Sequence, residues 1–161
     1  MMFRALLVAS LALCASARPA LAEPVIKVIN FTAAWCPNCR ILDPRLADAV
    51  ADFDGDAIEQ VNLDMTRTGQ AYSDETRARA MAVAARLARQ HKVDELWAWY
   101  GGTTGLAAVV AADTGEPIYC FTRRDETRRI KDRLRLARVL AEHAQPGARR
   151  PEGYNCPPAR N

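Results

Sequence analysis

The stretch that most restricts the fold of this 161-residue chain is residues 25–42, where a β-branched run leads directly into two cysteines at the head of a helical pattern. Val25-Ile26-Lys27-Val28-Ile29-Asn30-Phe31 is apolar almost throughout, as a strand buried on both faces is. Thr32-Ala33-Ala34-Trp35 carries it into Cys36-Pro37-Asn38-Cys39-Arg40-Ile41-Leu42, with Pro37 suited to a first helical turn, where its missing N–H costs nothing. Pro44 lies inside the same helical pattern and predicts a kink, with the helix continuing through Leu46, Ala49, Val50 and Phe53. Asp52 to Asp56 ends that helix, and Ala57 to Leu63 alternates as a second strand. Strand, helix and strand in this order predict a parallel pair with a right-handed crossover.

The rest of the chain extends this unit. Ser73 or Asp74 caps a helix reaching about Gln90, with Met81, Ala85 and Ala88 on one face. The aromatic-rich Val93 to Tyr100 precedes Gly101-Gly102-Thr103-Thr104-Gly105, a loop that feeds the apolar strand Leu106 to Ala112. Asp113-Thr114-Gly115-Glu116 signals a hairpin, and Pro117 to Phe121 reads as the antiparallel partner. Asp125 is placed to cap a last helix whose Ile130, Leu134, Ala137 and Leu140 recur at helical spacing. No internal repeat is present.

The two ends differ from this middle. Met1-Met2-Phe3-Arg4 and the apolar run Ala5 to Ala17 have the head and length of a secretory leader, too short to span a membrane. Pro19 breaks the run, and Ala20-Leu21-Ala22 offers a peptidase its small residues, so cleavage is expected before Glu23. Lipidation of Cys14 is the rival route, disfavoured by Leu13 where a small residue is wanted. The reading is therefore a signal peptide over 1–22, one domain over 23–144 and a tail over 145–161. Processing would leave 139 residues, enough for one core, with 20 basic against 19 acidic side chains. Such a balance calls for no polyanionic partner, nucleic acid included. It also leaves four cysteines, Cys36, Cys39, Cys120 and Cys156, an even number in an oxidising compartment, with three pairings open.

The chemistry follows from where the first two cysteines stand. Unpaired amides and the dipole at a helix start favour an anion, so Cys36 is expected as a thiolate nucleophile of lowered pKa and Cys39, one turn deeper, as the resolving thiol. The same spacing can supply half a zinc site, but the remaining donors, His91, His143, Cys120 and Cys156, contain no second close pair. A purely structural staple across three residues would stabilise little.

Asn30 through Cys39 resembles the active-site stretch of the thioredoxin superfamily, and the similarity in element order extends from about residue 25 to 143. What the resemblance implies is a three-layer α/β sandwich with a mixed central sheet flanked by helices, and reversible disulfide exchange with proteins. Three positions depart from the family pattern. Asn30 stands where thioredoxins carry a buried aspartate that helps deprotonate the resolving thiol, so resolution should be slower or rely on another base. Thr103-Thr104-Gly105-Leu106 lacks the cis-proline of the family, leaving Thr104 and Gly105 as the residues that would face the cysteines and a substrate strand. The dipeptide Pro37-Asn38 matches neither the Gly-Pro of reducing thioredoxins nor the Pro-His of strong bacterial oxidants. Asn38 adds no cation beside Cys36.

Other residues admit two readings each. Cys120 and Cys156 pair and pin the tail, or Cys156 relays electrons to the Cys36–Cys39 pair, or both remain unpaired. Trp97, Trp99 and Tyr100 line a groove for peptides or fill core, while Trp35, beside Cys36, shapes access to the sulfur. From residue 123 onward eleven basic residues face five acidic ones, either an anion-binding surface or a solvated arginine-rich helix. The combined expectation is an exported, periplasmic thiol-disulfide oxidoreductase working as a reductase. It needs no metal or cofactor beyond its Cys36–Cys39 disulfide, and its partners are client proteins and a redox partner protein. The alternatives are a non-catalytic binding module and a metal-handling protein using the cysteine pair.

Overall fold

A computed structural model describes residues 24–53, 58–152 and 156–157. The leader expected over 1–22, the cleavage expected before Glu23 and Cys14 lie outside the described residues. The elements are β1 (Ile26–Thr32), α1 (Cys39–Val50), β2 (Ile58–Asp64), a 3₁₀ turn (Thr66–Gln70), α2 (Asp74–Gln90), α3 (Asp94–Tyr100), β3 (Leu106–Ala111), β4 (Pro117–Thr122) and α4 (Thr127–His143). The strands form one sheet in the order β2-β1-β3-β4. β1 runs parallel to β2, with Asn30 opposite Asn62, and antiparallel to β3, while β3 and β4 are antiparallel with an irregularity at Val109/Val110. This is the mixed α/β sheet flanked by helices that the sequence predicted.

Period-two alternation sorts β1 between two cores. Ile26 and Val28 face α1 and α4, packing with Leu42, Leu46, Ile130 and Leu134, whereas Ile29 and Phe31 face α2 and α3, packing with Ala84, Ala88, Leu96 and Tyr100. Three layers result. Central β3 is buried at every position, as an all-apolar Leu-Ala-Ala-Val-Val-Ala segment requires.

Several boundaries differ from the sequence reading. Helix α1 begins at Cys39, so Pro37 lies before the helix and Asn38 takes the cap position. The helix runs on through Pro44 and stops at Val50, short of Phe53. Asp125 does not cap α4: Glu126 holds that position without a side-chain bond, and the Asp125 carboxylate instead accepts from the Thr122 N–H at 2.9 Å and from Arg133 at 3.1 Å. Those two donors meet a carboxylate that is nearly buried, which a water-facing cap would not need. Ala84 replaces Ala85 as the α2 residue buried with Ala88, and Ala141 joins the buried face of α4 where Leu140 is only partly covered. Residues 94–100, unassigned from sequence, form α3, with Asp94 and Glu95 in its first turn.

The tail is held at two places. Arg149 donates to both oxygens of Asp113, 2.9 Å at the Nη2–Oδ2 contact, while the backbone N–H groups of Gly147 and Arg149 donate to the Glu116 carboxylate at 2.8 and 3.2 Å. Farther on, Cys156 is bonded to Cys120 of β4, and the Tyr100 hydroxyl donates to the Pro157 carbonyl at 2.6 Å. Cys156 relaying electrons from a mobile tail is not the arrangement found.

Candidate functional site

The cysteine pair sits at the C-terminal ends of the two parallel strands, the usual place for a site in an open α/β sheet. Chain geometry puts it there: Met65 N–H donates to the Thr32 carbonyl, the Ala34 N–H donates to the Thr66 hydroxyl, and a turn from Ala33 to Cys36 brings the chain into α1. Cys36 and Cys39 form a disulfide with Cα atoms 5.3 Å apart. Both residues are only 2% exposed, so the outer and inner cysteine are not told apart by burial. They are told apart by polar contacts. The Cys36 sulfur accepts the Cys39 backbone N–H at 3.1 Å, the first free amide of α1, while the Cys39 sulfur lies 4.0 Å from the Phe31 carbonyl oxygen. A thiolate is therefore favoured at Cys36 and disfavoured at Cys39, where a carbonyl dipole faces it.

Asn30 is buried on the α1 side of the sheet. Its amide donates to Asp43 Oδ1 at 3.1 Å and to Asn62 Oδ1 at 3.3 Å, and the Thr32 hydroxyl donates to Asp43 Oδ2 at 2.6 Å. The carboxylate of this cluster thus comes from the helix, four residues after Cys39, rather than from the strand. The Asn30 side-chain oxygen Oδ1 is buried without a partner among the described residues, as is the Thr103 hydroxyl. Asp43 was not singled out from sequence, although its i+4 spacing from Cys39 on a helix pointed at it.

Two glycines let the walls close in. Gly105 has φ +76° and lies so near Asn38 that an added Cβ would sit 2.5 Å from the Asn38 Cβ; its N–H donates to the Phe31 carbonyl at 2.9 Å. Thr104 beside it is half-buried and makes no backbone hydrogen bond among the described residues, where no peptide bond is cis. Trp35 is 45% exposed and its indole lies on Gly69, where a Cβ would overlap Cδ1 and Nε1. The structure thus brings Trp35, Asn38 and Gly105 around the disulfide, with Pro37 exposed between them. Trp97, Trp99 and Tyr100 are packing residues of the apolar cluster that also holds Cys36 and Cys39: Phe31 stacks on Trp97 and meets Tyr100 edge-on.

Cys120 and Cys156, 36 residues apart, are joined to each other and not to Cys36 or Cys39. Among the described residues no group of three or more His, Cys, Asp or Glu side chains could hold a metal ion. His91 instead faces Glu59 at 2.9 Å.

Residues 19–81 match the family model of thioredoxin, a span that holds β1, the cysteine pair, α1 and β2. That part of the chain is similar to thioredoxin. The fold of the chain is similar to that of a thioredoxin-like protein from Parabacteroides distasonis, at 18% identity and a TM-score of 0.42, covering 80% of this chain and 91% of that one. No curated protein matches it. A thioredoxin-like domain with a Cys-x-x-Cys pair at its helix start supports thiol-disulfide chemistry in general, and such domains typically act on thiol-bearing proteins. Among the described residues no helix is long and apolar enough to cross a membrane.

Proposed function

We propose that the protein is an exported thiol-disulfide oxidoreductase that reduces disulfides of client proteins in the cell envelope. The Cys36 thiolate attacks a client sulfur, a mixed disulfide forms, and one client thiolate leaves. Cys39, deprotonated, then attacks the Cys36 sulfur and expels the second client thiolate. The client disulfide has gained two electrons and two protons, and the Cys36–Cys39 dithiol has lost them; a dithiol redox partner protein restores it. The candidate acceptor for the Cys39 proton is Asp43, the carboxylate one helical turn after Cys39 that is hydrogen-bonded to Asn30.

The observation that carries the reducing direction is the single donor on Cys36. Its sulfur accepts one backbone N–H and, among the described residues, no cationic side chain, whereas strong oxidants stabilise the reduced thiolate heavily. The leader-like sequence of residues 1–22 supports export, and the Cys120–Cys156 bond fits an oxidising compartment.

The test is the redox potential and insulin-reduction rate of the purified protein beside Cys36→Ser, with the cell fractionated for location. A potential near that of reducing dithiols, and turnover abolished in the variant, is the expected outcome. Absence of both turnover and exchange with glutathione buffers would overturn enzyme and direction together. Recovery in the cytoplasm, with the leader intact, would overturn export.

A further inference from the structure

On the Trp35 side of the Cys36–Cys39 turn, Trp35, Met65, Gly69, Met81 and Gly102 line an open cavity of about 400 Å³ whose one charged lining residue is Arg77. The cavity exists because of the 3₁₀ turn and α2: the turn presents Gly69 under the indole, and α2 presents Met81 and Arg77 on successive turns. A second hollow of about 370 Å³ adjoins it across the same turn, its charged lining residues being Arg67 and Arg79. Every charged side chain on the two hollows is thus an arginine. Arg79 is occupied by Glu75, but Arg67 and Arg77 are exposed and make no ion pair or hydrogen bond through their side chains among the described residues. Tyr72, 91% exposed, stands between the turn and α2. Unpaired guanidinium groups over an apolar floor of thioethers and indole suit an acidic peptide: methionine adapts to varied apolar side chains, and a guanidinium binds a carboxylate in a two-point fork.

We propose that the groove running from Trp35 along the 3₁₀ turn and α2 selects client segments that carry an apolar side chain and a carboxylate beside the reacting cysteine, seated on Met65 and Met81 and held by Arg77. This inference rests on the disulfide-exchange reading for its client, and deepens it by fixing the client's local charge. The groove sets the client's charge preference; the cysteines set the chemistry.

Two disulfide peptides differing only in Glu or Lys two residues from the cysteine are compared, together with their unreactive serine analogues. Reduction rates and, by Trp35 fluorescence, dissociation constants are measured for the wild type, Arg77→Glu and Arg86→Glu, the last being an exposed reversal on the same helix outside the groove. The wild type should prefer the Glu peptide about tenfold in both readouts, the increment of one charge-assisted contact. Arg77→Glu should reverse the preference and Arg86→Glu should keep it. Equal binding of the Glu and Lys analogues by the wild type, or an unchanged preference in Arg77→Glu, overturns the groove assignment whatever the turnover. Selective binding of the Glu analogue without reduction of either peptide supports the groove and sinks the exchange reaction instead.

Discussion

Around the cysteines, the decisive group is a carboxylate in an unfamiliar place. Asp43 is fixed by the Asn30 amide and the Thr32 hydroxyl, one turn after Cys39. Removing its charge should leave the first attack by Cys36 nearly unchanged and slow the release of the mixed disulfide. For Asp43→Asn we expect at least a tenfold slower second step, at the low end of general-base contributions, read as accumulation of the covalent peptide adduct on gels. A release rate equal to that of the wild type would remove Asp43 from the mechanism. At this scale the sequence displayed the position of the Cys36–Cys39 pair plainly, because both fall at a strand-to-helix junction that spacing alone reveals. It hid the contact between Asn30 and Asp43, since nothing in a one-dimensional pattern says which helix residue meets which strand residue. Arg77 was equally hidden, one arginine among several on α2, distinguished only by which turn faces Trp35.

Among the α-helices, α2 buries the smallest share of its residues. It buries only Ala84 and Ala88 fully, so its ends matter more than for α4, which buries Ile130, Leu134, Ala137 and Ala141. Its start is a reciprocal cap: the Thr76 N–H donates to the Ser73 hydroxyl at 3.2 Å, and the Ser73 N–H donates to the Thr76 hydroxyl at 3.1 Å. Ser73→Ala should cost about 1 kcal/mol and raise amide exchange in the first turns of α2, seen by hydrogen-exchange mass spectrometry. Unaltered exchange there would mean that packing alone holds the helix. The start of α2 was legible because Ser73 and Asp74 precede a long helix-forming run. The start of α4 was misplaced because Asp125 has two uses open to it, and the fold gives its carboxylate to Thr122 and Arg133. Helix α3 escaped notice because Leu96, Trp97, Trp99 and Tyr100 cluster too densely to show a single apolar face.

Across the whole molecule, the tail is the feature that joins distant parts. The Cys120–Cys156 bond closes a span of 36 residues, which by chain entropy contributes about 4 kcal/mol. The Cys120→Ala/Cys156→Ala double variant should lose roughly that much in urea unfolding while keeping its Cys36–Cys39 exchange; equal stability would show that the hydrogen bonds of the tail secure it without the disulfide. That second anchor is pH-dependent. The Arg149 guanidinium hydrogen-bonded to Asp113 holds the Asp113 carboxyl below the usual carboxylate range. Its contribution is therefore complete above the ordinary aspartate value near 4 and fades as pH falls through the lowered value. Asp113 is 58% exposed, so the effect is small and local. Proteolysis of the tail should rise on acidification below about pH 4, and Asp113→Asn should remove that dependence; a variant that still showed it would place the pH response elsewhere. Sequence gave no hint of this pair, since Arg149 and Asp113 meet only after the hairpin and tail are folded.

The two crosslinks also differ in how soon they can close. Cys36 and Cys39 are three residues apart and meet by local motion, whereas Cys120 must await Cys156 while sharing one apolar cluster with the redox pair. During oxidative folding the chain therefore passes through a stage in which a lone thiol and a closed disulfide collapse into the same interior. Maturation becomes a matter of timing, with scrambled isomers as the hazard and an isomerase as the natural rescuer. Timed alkylation during oxidative refolding should capture the three-residue ring first, with Cys120 and Cys156 still free; their earlier closure would show that the tail docks before the catalytic pair has formed.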